Sequence, residues 1–576
     1  MSPRSVRELD FGPRGDVFPS PVDWRDQFMY QLLLDRFDDN KDAPPYKPES
    51  TPRGRDVKQS WIFQGGNLKG VTRRLDYIKN LGCTTIWISP PFKQRQDDGG
   101  SYHGYAIQDF LAVDPRFGTL ADLQELVRQA HQRGMYVILD IVINHTADCF
   151  DYHGEGTHDF KPDGQYEFGA WHRVGENRDS KSPLSREDAV WPVELQDPDC
   201  FSRRGSIRDL RLAGPEEAVH GDFFNLKDLN LSNPKSMDAL IQSYKYWIAI
   251  ADIDGYRVDT VRNIPAHAAA IFCNAIHEYA ARIGKHNFMI FGEIVGDDDL
   301  LHKYIGGNTP VEGAKQGDEY PLMDACLDFP LYAVLDEVIK GKKSCDSIAE
   351  RYSHFNKYFR NFGEAGRYYV TFIDNHDQSH RPFRRFLNNV RDDRLGILGI
   401  GFLLCNLGIP CVYYGTEQGF DGGGDRDTFV RECMFGGKWG AFDTVDVQFF
   451  NDRHSIYQGI AAIAKVRREQ PALRYGREYF REISGDGENF GCPEGGDCTL
   501  ALSRVLDTDE VLIVINISQE ARNDFIEIDG KLSSPGHSMV DLLAGGEKLK
   551  IEERNGRAAV RVPLAARQIR ILKTVG

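Results

Sequence analysis

Four short stretches of this chain carry residues that could do chemistry: Asp140-Ile-Val-Ile-Asn-His145, Gly255-Tyr-Arg-Val-Asp259, Phe291-Gly-Glu293 and Phe372-Ile-Asp-Asn-His-Asp377. Alternation along 253–259 puts Arg257 and Asp259 on one face of a strand and Tyr256 and Val258 on the other. A neighbouring cation favours the charged form of a carboxyl. Arg257 is therefore expected to hold Asp259 ionised, ready to attack an electron-poor carbon. Alone, the pair reads equally well as a structural ion pair at a strand end. The other three stretches decide the matter only if one fold gathers all four.

The surrounding pattern supplies such a fold. Residues 28–34, 84–89 and 135–142 are apolar runs of buried-strand length. Between them lie a helical stripe of Leu68, Val71, Leu75 and Ile78 that Gly82 should stop, and a capping box Thr119-Leu-Ala-Asp122 opening a second helix. That helix carries Leu123, Leu126, Val127 and Ala130 on one face. Further strands are expected at 253–259, 288–293, 323–329, 368–373 and 409–414, with helices near 234–250 and 265–283. Eight strands alternating with helices favour a closed (β/α)8 barrel, an α/β fold whose strand C-termini carry the chemistry. All four stretches fall at strand ends.

The expected organisation is an N-terminal tail over 1–22, a barrel over 23–145 and 222–475, an irregular insert after the third strand over 146–221, and a C-terminal antiparallel β-sandwich over 476–576. The last contains no tryptophan, since Trp439 is the final one, which argues against a raw-polysaccharide binding module. The net charge of −16 and the lack of a long basic run exclude nucleic acid and anionic membranes as partners and fit a neutral ligand. No apolar run reaches transmembrane length and the N-terminus lacks a secretory core, so a cytoplasmic location is expected. Most of the eleven cysteines sit in apolar segments, as reduced buried thiols would. Cys492 and Cys498 flank a short loop where they could pair or bind a metal, but two thiols make a poor zinc site. A plain hairpin tip is the reading taken.

In their order, the four stretches resemble the conserved regions of the α-amylase family of glycoside hydrolases. Flanking segments extend the likeness across roughly 28–470: Phe63-Gln-Gly-Gly-Asn67, Tyr102-His-Gly-Tyr105, Leu226-Lys-Asp-Leu-Asn230 and Gly408-Ile-Pro-Cys-Val-Tyr-Tyr-Gly-Thr-Glu417. The resemblance implies Asp259 as nucleophile, Glu293 as general acid/base and Asp377 as transition-state stabiliser. The chemistry asks for that division, because a retaining glycosidase needs an ionised and a protonated carboxyl about 5–5.5 Å apart. The apolar approach Ile290-Phe-Gly would raise Glu293 toward the working pH. The likeness further implies sugar contacts from His103, Tyr105, His145, Arg257 and His376, and from Asp427 and Arg431 on the far side of the reacting sugar. Many relatives bind structural calcium, for which Asn144, Asp222 and the Asn263 carbonyl would serve, with Asp39 of the acidic 38–42 loop as a second candidate. No organic cofactor is implied.

Arg262-Asn263 stands where many endo-acting amylases have Lys-His after the nucleophile. That departure favours short maltooligosaccharides or related dextrins over long amylose and opens transglycosylating or isomerising activity as alternatives. A non-catalytic amylase-like binding protein would lack part of the triad, and this chain keeps all of it.

Overall fold

The computed structural model describes residues 2–575 except 14, 50–55, 97–98, 175–181, 211, 306–322, 354, 356–357, 360–361, 378–382 and 391. Eight parallel strands close a barrel: β1 (Met29–Leu32), β2 (Thr85–Ile88), β3 (Tyr136–Ile141), β4 (Gly255–Val258), β5 (Met289–Gly292), β6 (Ala325–Leu327), β7 (Tyr369–Thr371) and β8 (Ile409–Tyr413). They are hydrogen-bonded in sequence order around the ring, with β1 pairing β8 through Met29 and Cys411. Period-two alternation points Met29, Trp87, Ile138, Met289, Phe291, Ala325, Leu327, Val370, Ile409 and Cys411 into one buried cluster, the barrel interior. Each large side chain there contributes roughly 1.5–3 kcal/mol. Above this apolar floor, Gln31, Asp140 and Arg257 are also buried.

Helices α1 (Leu68–Arg73), α2 (Leu75–Asn80), α3 (Leu120–Gln132), α4 (Pro234–Ala251) and α5 (Ala266–Arg282) cover the first half of the barrel. The expected single helix over 68–81 is two. The chain leaves helical geometry at Arg74, yet Leu68, Val71, Leu75 and Ile78 are all fully buried, so the stripe survives the break. Gly82 ends it in the left-handed region, where a Cβ would come within 2.5 Å of Ala464. The Thr119–Asp122 capping box forms in both directions and buries the four predicted apolar residues.

After β3 an irregular insert leaves the barrel, closed at its base where 145–146 pair with 227–228. The N-terminal segment lies along the barrel and reaches this insert. Phe18 stacks on His131 at 4.1 Å, Ser5 hydrogen-bonds Glu194, and the Arg4 carbonyl accepts from Val193 at 2.9 Å. From Arg477 on, nine antiparallel strands wrap a second core that includes Ala501, Leu512, Val514, Ile526, Ile551, Val560 and Val562. Buried Arg504 joins this domain to the barrel by donating to the carbonyls of Cys405 (2.7 Å) and Leu473 (3.2 Å). A disulfide between Cys345 and Cys498 makes a covalent link across the same junction. This corrects the hairpin-tip reading, because Cys498 reaches back to the barrel while Cys492 stays free and exposed. Among the described residues, no helix is long and apolar enough to cross a membrane.

Candidate active site

The parallel register of β3 and β4 sets Asp140 beside Arg257, and that of β4 and β5 sets Arg257 beside Phe291. Two residues on, the same faces carry Asp259 and Glu293. Arg257 is fully buried and bridges three carboxylates. Its Nη1 lies 2.8 Å from Asp140 and 2.7 Å from Asp259, and its Nη2 lies 2.9 Å from Glu293. Asp140 accepts further from the Tyr105 hydroxyl (2.8 Å) and the Trp87 indole (3.0 Å), which fixes the guanidinium from below. Sequence reasoning passed over Asp140 and Trp87. A carboxylate in register with Arg257 inside an otherwise apolar strand was the available signal.

Burial raises the Asp259 carboxyl to about 7. Arg257 opposes the rise, and Asp140 and Asp377 add to it. Burial likewise takes Glu293 to about 7 against Arg257, with the charges of Asp259 and Asp377 adding. Arg257 favours the ionised form of Asp259, as expected from sequence, and burial works against it. One cation divided among three buried carboxylates cannot offset the loss of hydration for all of them. The Thr260 amide donates to Glu293 at 3.1 Å, tying the second carboxyl to the turn after the first.

Asp377 stands opposite, after β7. Burial would raise it, but His376, Arg431 and Arg257 bring it well below the usual carboxylate range. His376 Nε2 lies 2.8 Å from Asp377, and Arg431 Nη2 lies 2.8 Å from both Asp377 and Asp427. Arg431 also donates to the His376 carbonyl (2.9 Å) and the Tyr102 hydroxyl (3.1 Å). Gln31, another residue missed from sequence, sits 2.7 Å from His376 Nδ1. The Tyr105 ring stacks on His376 at 5.3 Å, and its hydroxyl is 2.8 Å from Nε2.

His103 follows in a tight turn, where Gly104 has φ +94° and a Cβ would meet the Pro90 carbonyl at 2.4 Å. Burial, with Arg431 nearby, lowers His103 to about 3, and burial lowers His145 to about 4. Both imidazoles are neutral near pH 7, and since His103 Nδ1 accepts from the Tyr105 amide at 3.0 Å, its Nε2–H is left to donate to a hydroxyl. His145 stacks on Phe223 at 5.9 Å, and Phe224 packs edge-on against Phe223 at 5.0 Å. Phe224 is 64% exposed with a left-handed φ of +60°. A large apolar ring held outward in that conformation beside the site was not picked out from sequence.

The side chains of Asp222, Asn263 and Asp39 each have hydrogen-bond partners, whereas the Asn263 group anticipated for a cation is its backbone carbonyl. Asp222 is occupied by the Tyr152 hydroxyl (2.7 Å), the Asp228 amide (3.0 Å) and the Lys227 ammonium (3.6 Å). The Asn263 side chain donates to the Ala218 carbonyl at 2.6 Å, and Asp39 caps its own turn at the Lys41 amide. Among the described residues, no three His, Cys, Asp or Glu side chains cluster as a metal site. The carboxylate left open is instead Asp228. It is buried, neither of its oxygens makes a well-formed hydrogen bond, and burial pushes it far above the usual range against the Ser202 hydroxyl. It pairs with His145 across the base of the insert, and the Leu229 amide donates to the Asn144 carbonyl at 2.9 Å.

Comparison with known proteins agrees with this geometry. The family model described as the alpha amylase catalytic domain matches residues 31–476. The chain is 33% identical over 480 residues to an alpha-amylase of Streptomyces lividans, covering 75% of this chain and 49% of that protein. It is 29% identical over 573 residues to a beta/alpha-amylase of Paenibacillus polymyxa, covering 98% of this chain and 39% of that one. The chain thus spans half or less of both relatives. A solved cyclomaltodextrin glucanotransferase with a three-domain ABC arrangement superposes with a TM-score of 0.68 at 26% identity, covering 96% of this chain and 99% of that one.

Proposed function

The chain belongs to the α-amylase family of glycoside hydrolases, and from that premise we propose that it cleaves α-1,4-linked maltooligosaccharides or related dextrins with retention at the anomeric carbon. The observation that carries the reading is the single guanidinium spanning Asp259 and Glu293, with Asp377 held opposite by Arg431 and His376. Carboxylates bridged that closely fit direct attack, at the ~5–5.5 Å of retaining enzymes, better than the wider gap that an inverting water needs. In the reactive form Glu293 holds the shared proton and Asp259 is ionised. Glu293 gives the proton to the glycosidic oxygen while Asp259 bonds to C1. Glu293, now ionised, then takes a proton from the incoming hydroxyl as it displaces Asp259. Asp377 stays anionic throughout and faces the cationic sugar ring.

We infer a short linear, cyclic or branched glucan as substrate, a reading supported by Arg262-Asn263 after the nucleophile, where the Asn263 amide donates to the Ala218 carbonyl. Proton NMR of the first-formed product tests the mechanism, and a β-anomer from an α-glucan would overturn it. A substrate panel of soluble starch, maltotriose to maltoheptaose, a cyclodextrin, isomaltose and pullulan tests the range. Rapid viscosity loss on starch with weak action on short chains would contradict the short-substrate reading.

A second reading, glycosyl transfer, is favoured by Phe224. An outward aromatic ring at the rim gives an incoming sugar a face to stack on and lets it compete with water for the glycosyl-enzyme. Products longer than the starting sugar, reduced by Phe224→Ser, support it. For the cation we propose calcium held by Asn144 and Asp228, where it would supply charge to a buried carboxylate and pin the insert to the end of β3.

A further inference from the structure

Resting on the reading of this site as an α-glucan site, we propose that Trp61 and Arg426 form a remote glycone subsite that grips a sugar beyond the reach of the catalytic residues. Trp61 closes a short helical turn, Val57–Trp61, and is 40% exposed beside the equally exposed Ile62. A partly exposed indole offers an amphipathic face with an N–H at its edge, suited to a ligand that is apolar on one side and wet on the other. The Arg426 guanidinium sits over the ring at 5.3 Å from its centroid.

The position of this platform is fixed from below. Arg36, fully buried, donates to the carbonyls of Ser60 (2.8 Å) and Ile62 (3.2 Å), the residues flanking Trp61. The same guanidinium donates to the Arg431 carbonyl at 2.9 Å and lies over the Tyr102 ring at 3.8 Å. One buried cation therefore ties the Trp61 turn to the residue that holds Asp377 and Asp427. Arg426 adjoins Asp427 in the chain, so Asp377, Arg431, Asp427, Arg426 and Trp61 are linked in an unbroken series of contacts and chain neighbours.

Barrel order gives the direction of that series. Asp377, Arg431 and Trp61 follow β7, β8 and β1, which are neighbours, whereas the acid Glu293 follows β5 on the other side. Glu293 protonates the leaving group, so the leaving portion lies on its side and Trp61 faces the retained portion. A pyranose presents a C–H face that stacks on an aromatic ring, and its hydroxyls can accept from Arg426.

The test is the dependence of kcat/KM on chain length for Trp61→Ala and Arg426→Ala. Stacking of ~0.5–1.5 kcal/mol converts to a factor of about 2–13. We expect Trp61→Ala to lower kcat/KM for maltohexaose about 10-fold more than for maltotriose, Arg426→Ala to act in the same direction, and Trp61→Phe to recover most of the loss. A loss by the same factor at every length, or none, overturns the subsite while leaving the family reading intact. Both fall if the wild type neither cleaves maltooligosaccharides nor, as Glu293→Gln, binds maltohexaose by calorimetry.

Discussion

Asp140 and Arg257 stand side by side in the register of β3 and β4, and the Asp140 carboxylate holds Arg257 Nη1 at 2.8 Å, the nitrogen that also contacts Asp259. The negative charge of Asp140 is one of the causes that raise Asp259. Asp140→Asn removes that charge, so Asp259 ionises more readily. The acid limb of the kcat/KM–pH profile should move to lower pH. Truncating one partner of a buried ion pair costs about 3–5 kcal/mol, and two remaining carboxylates on Arg257 place the expected loss near the lower end. Urea unfolding measures the second effect and a pH–rate profile the first.

Glu293→Gln and Asp259→Asn should each lower kcat by ~10²–10⁴ or more, because each removes a role that no neighbour supplies. Their stabilities carry a sign that can be checked. Both carboxyls are raised to about 7 in the folded protein. As pH climbs from ~4.5 to about 7 the unfolded chain ionises them first. The wild type therefore loses stability across that window, and the neutral variants escape part of the loss. Melting temperatures should be close at pH 4 and separate in favour of the variants by pH 8. A wild type that gains on its variants as pH rises would contradict the assigned shifts.

If calcium binds at Asn144 and Asp228, adding it should raise the melting temperature, by an amount equivalent to ~2.7 kcal/mol at a hundredfold excess over Kd. Asp228→Asn should remove that response and Asp222→Asn should keep it. A calcium response lost with Asp222 and kept without Asp228 would return the site to the arrangement anticipated from sequence.

The Cys345–Cys498 disulfide spans 153 residues. Opening it with a reductant, or replacing Cys345 by serine, should cost ~2–4 kcal/mol. The loss should appear in the C-terminal domain, followed by tryptic release of fragments beyond residue 476. Such a bond persists in oxidising compartments, which sets it against the cytoplasmic location expected from composition. Free-thiol counts on protein from its native source distinguish the two.

The barrel was legible because apolar strand runs such as 84–89, 135–142 and 409–414 alternate with helical stripes. The residues that were missed share a physical reason. Asp140, Trp87 and Gln31 matter through partners far away in sequence, 117 residues for Asp140 and Arg257 and 345 for Gln31 and His376. Local periodicity carries no information on such pairs. The break at Arg74 was invisible because both short helices keep the apolar stripe. Cys345 gave no sign of pairing, since its polar surroundings, Lys342-Lys-Ser-Cys-Asp-Ser347, lie 153 residues from Cys498 and carry no mark of that partner.

The N-terminal segment described along the barrel has a consequence for how the chain is made. Ser5 waits for Glu194, 189 residues later, and the Phe18 amide waits for Asp252, 234 residues later. β1 finds β8 only once Cys411 has been synthesised. During translation Ser5 and the Phe18 amide therefore stay without these partners until residues 194 and 252 have been made. A chaperone or a fused solubility partner acting on this protein should engage that early segment, and its protection from protease should be the last to appear.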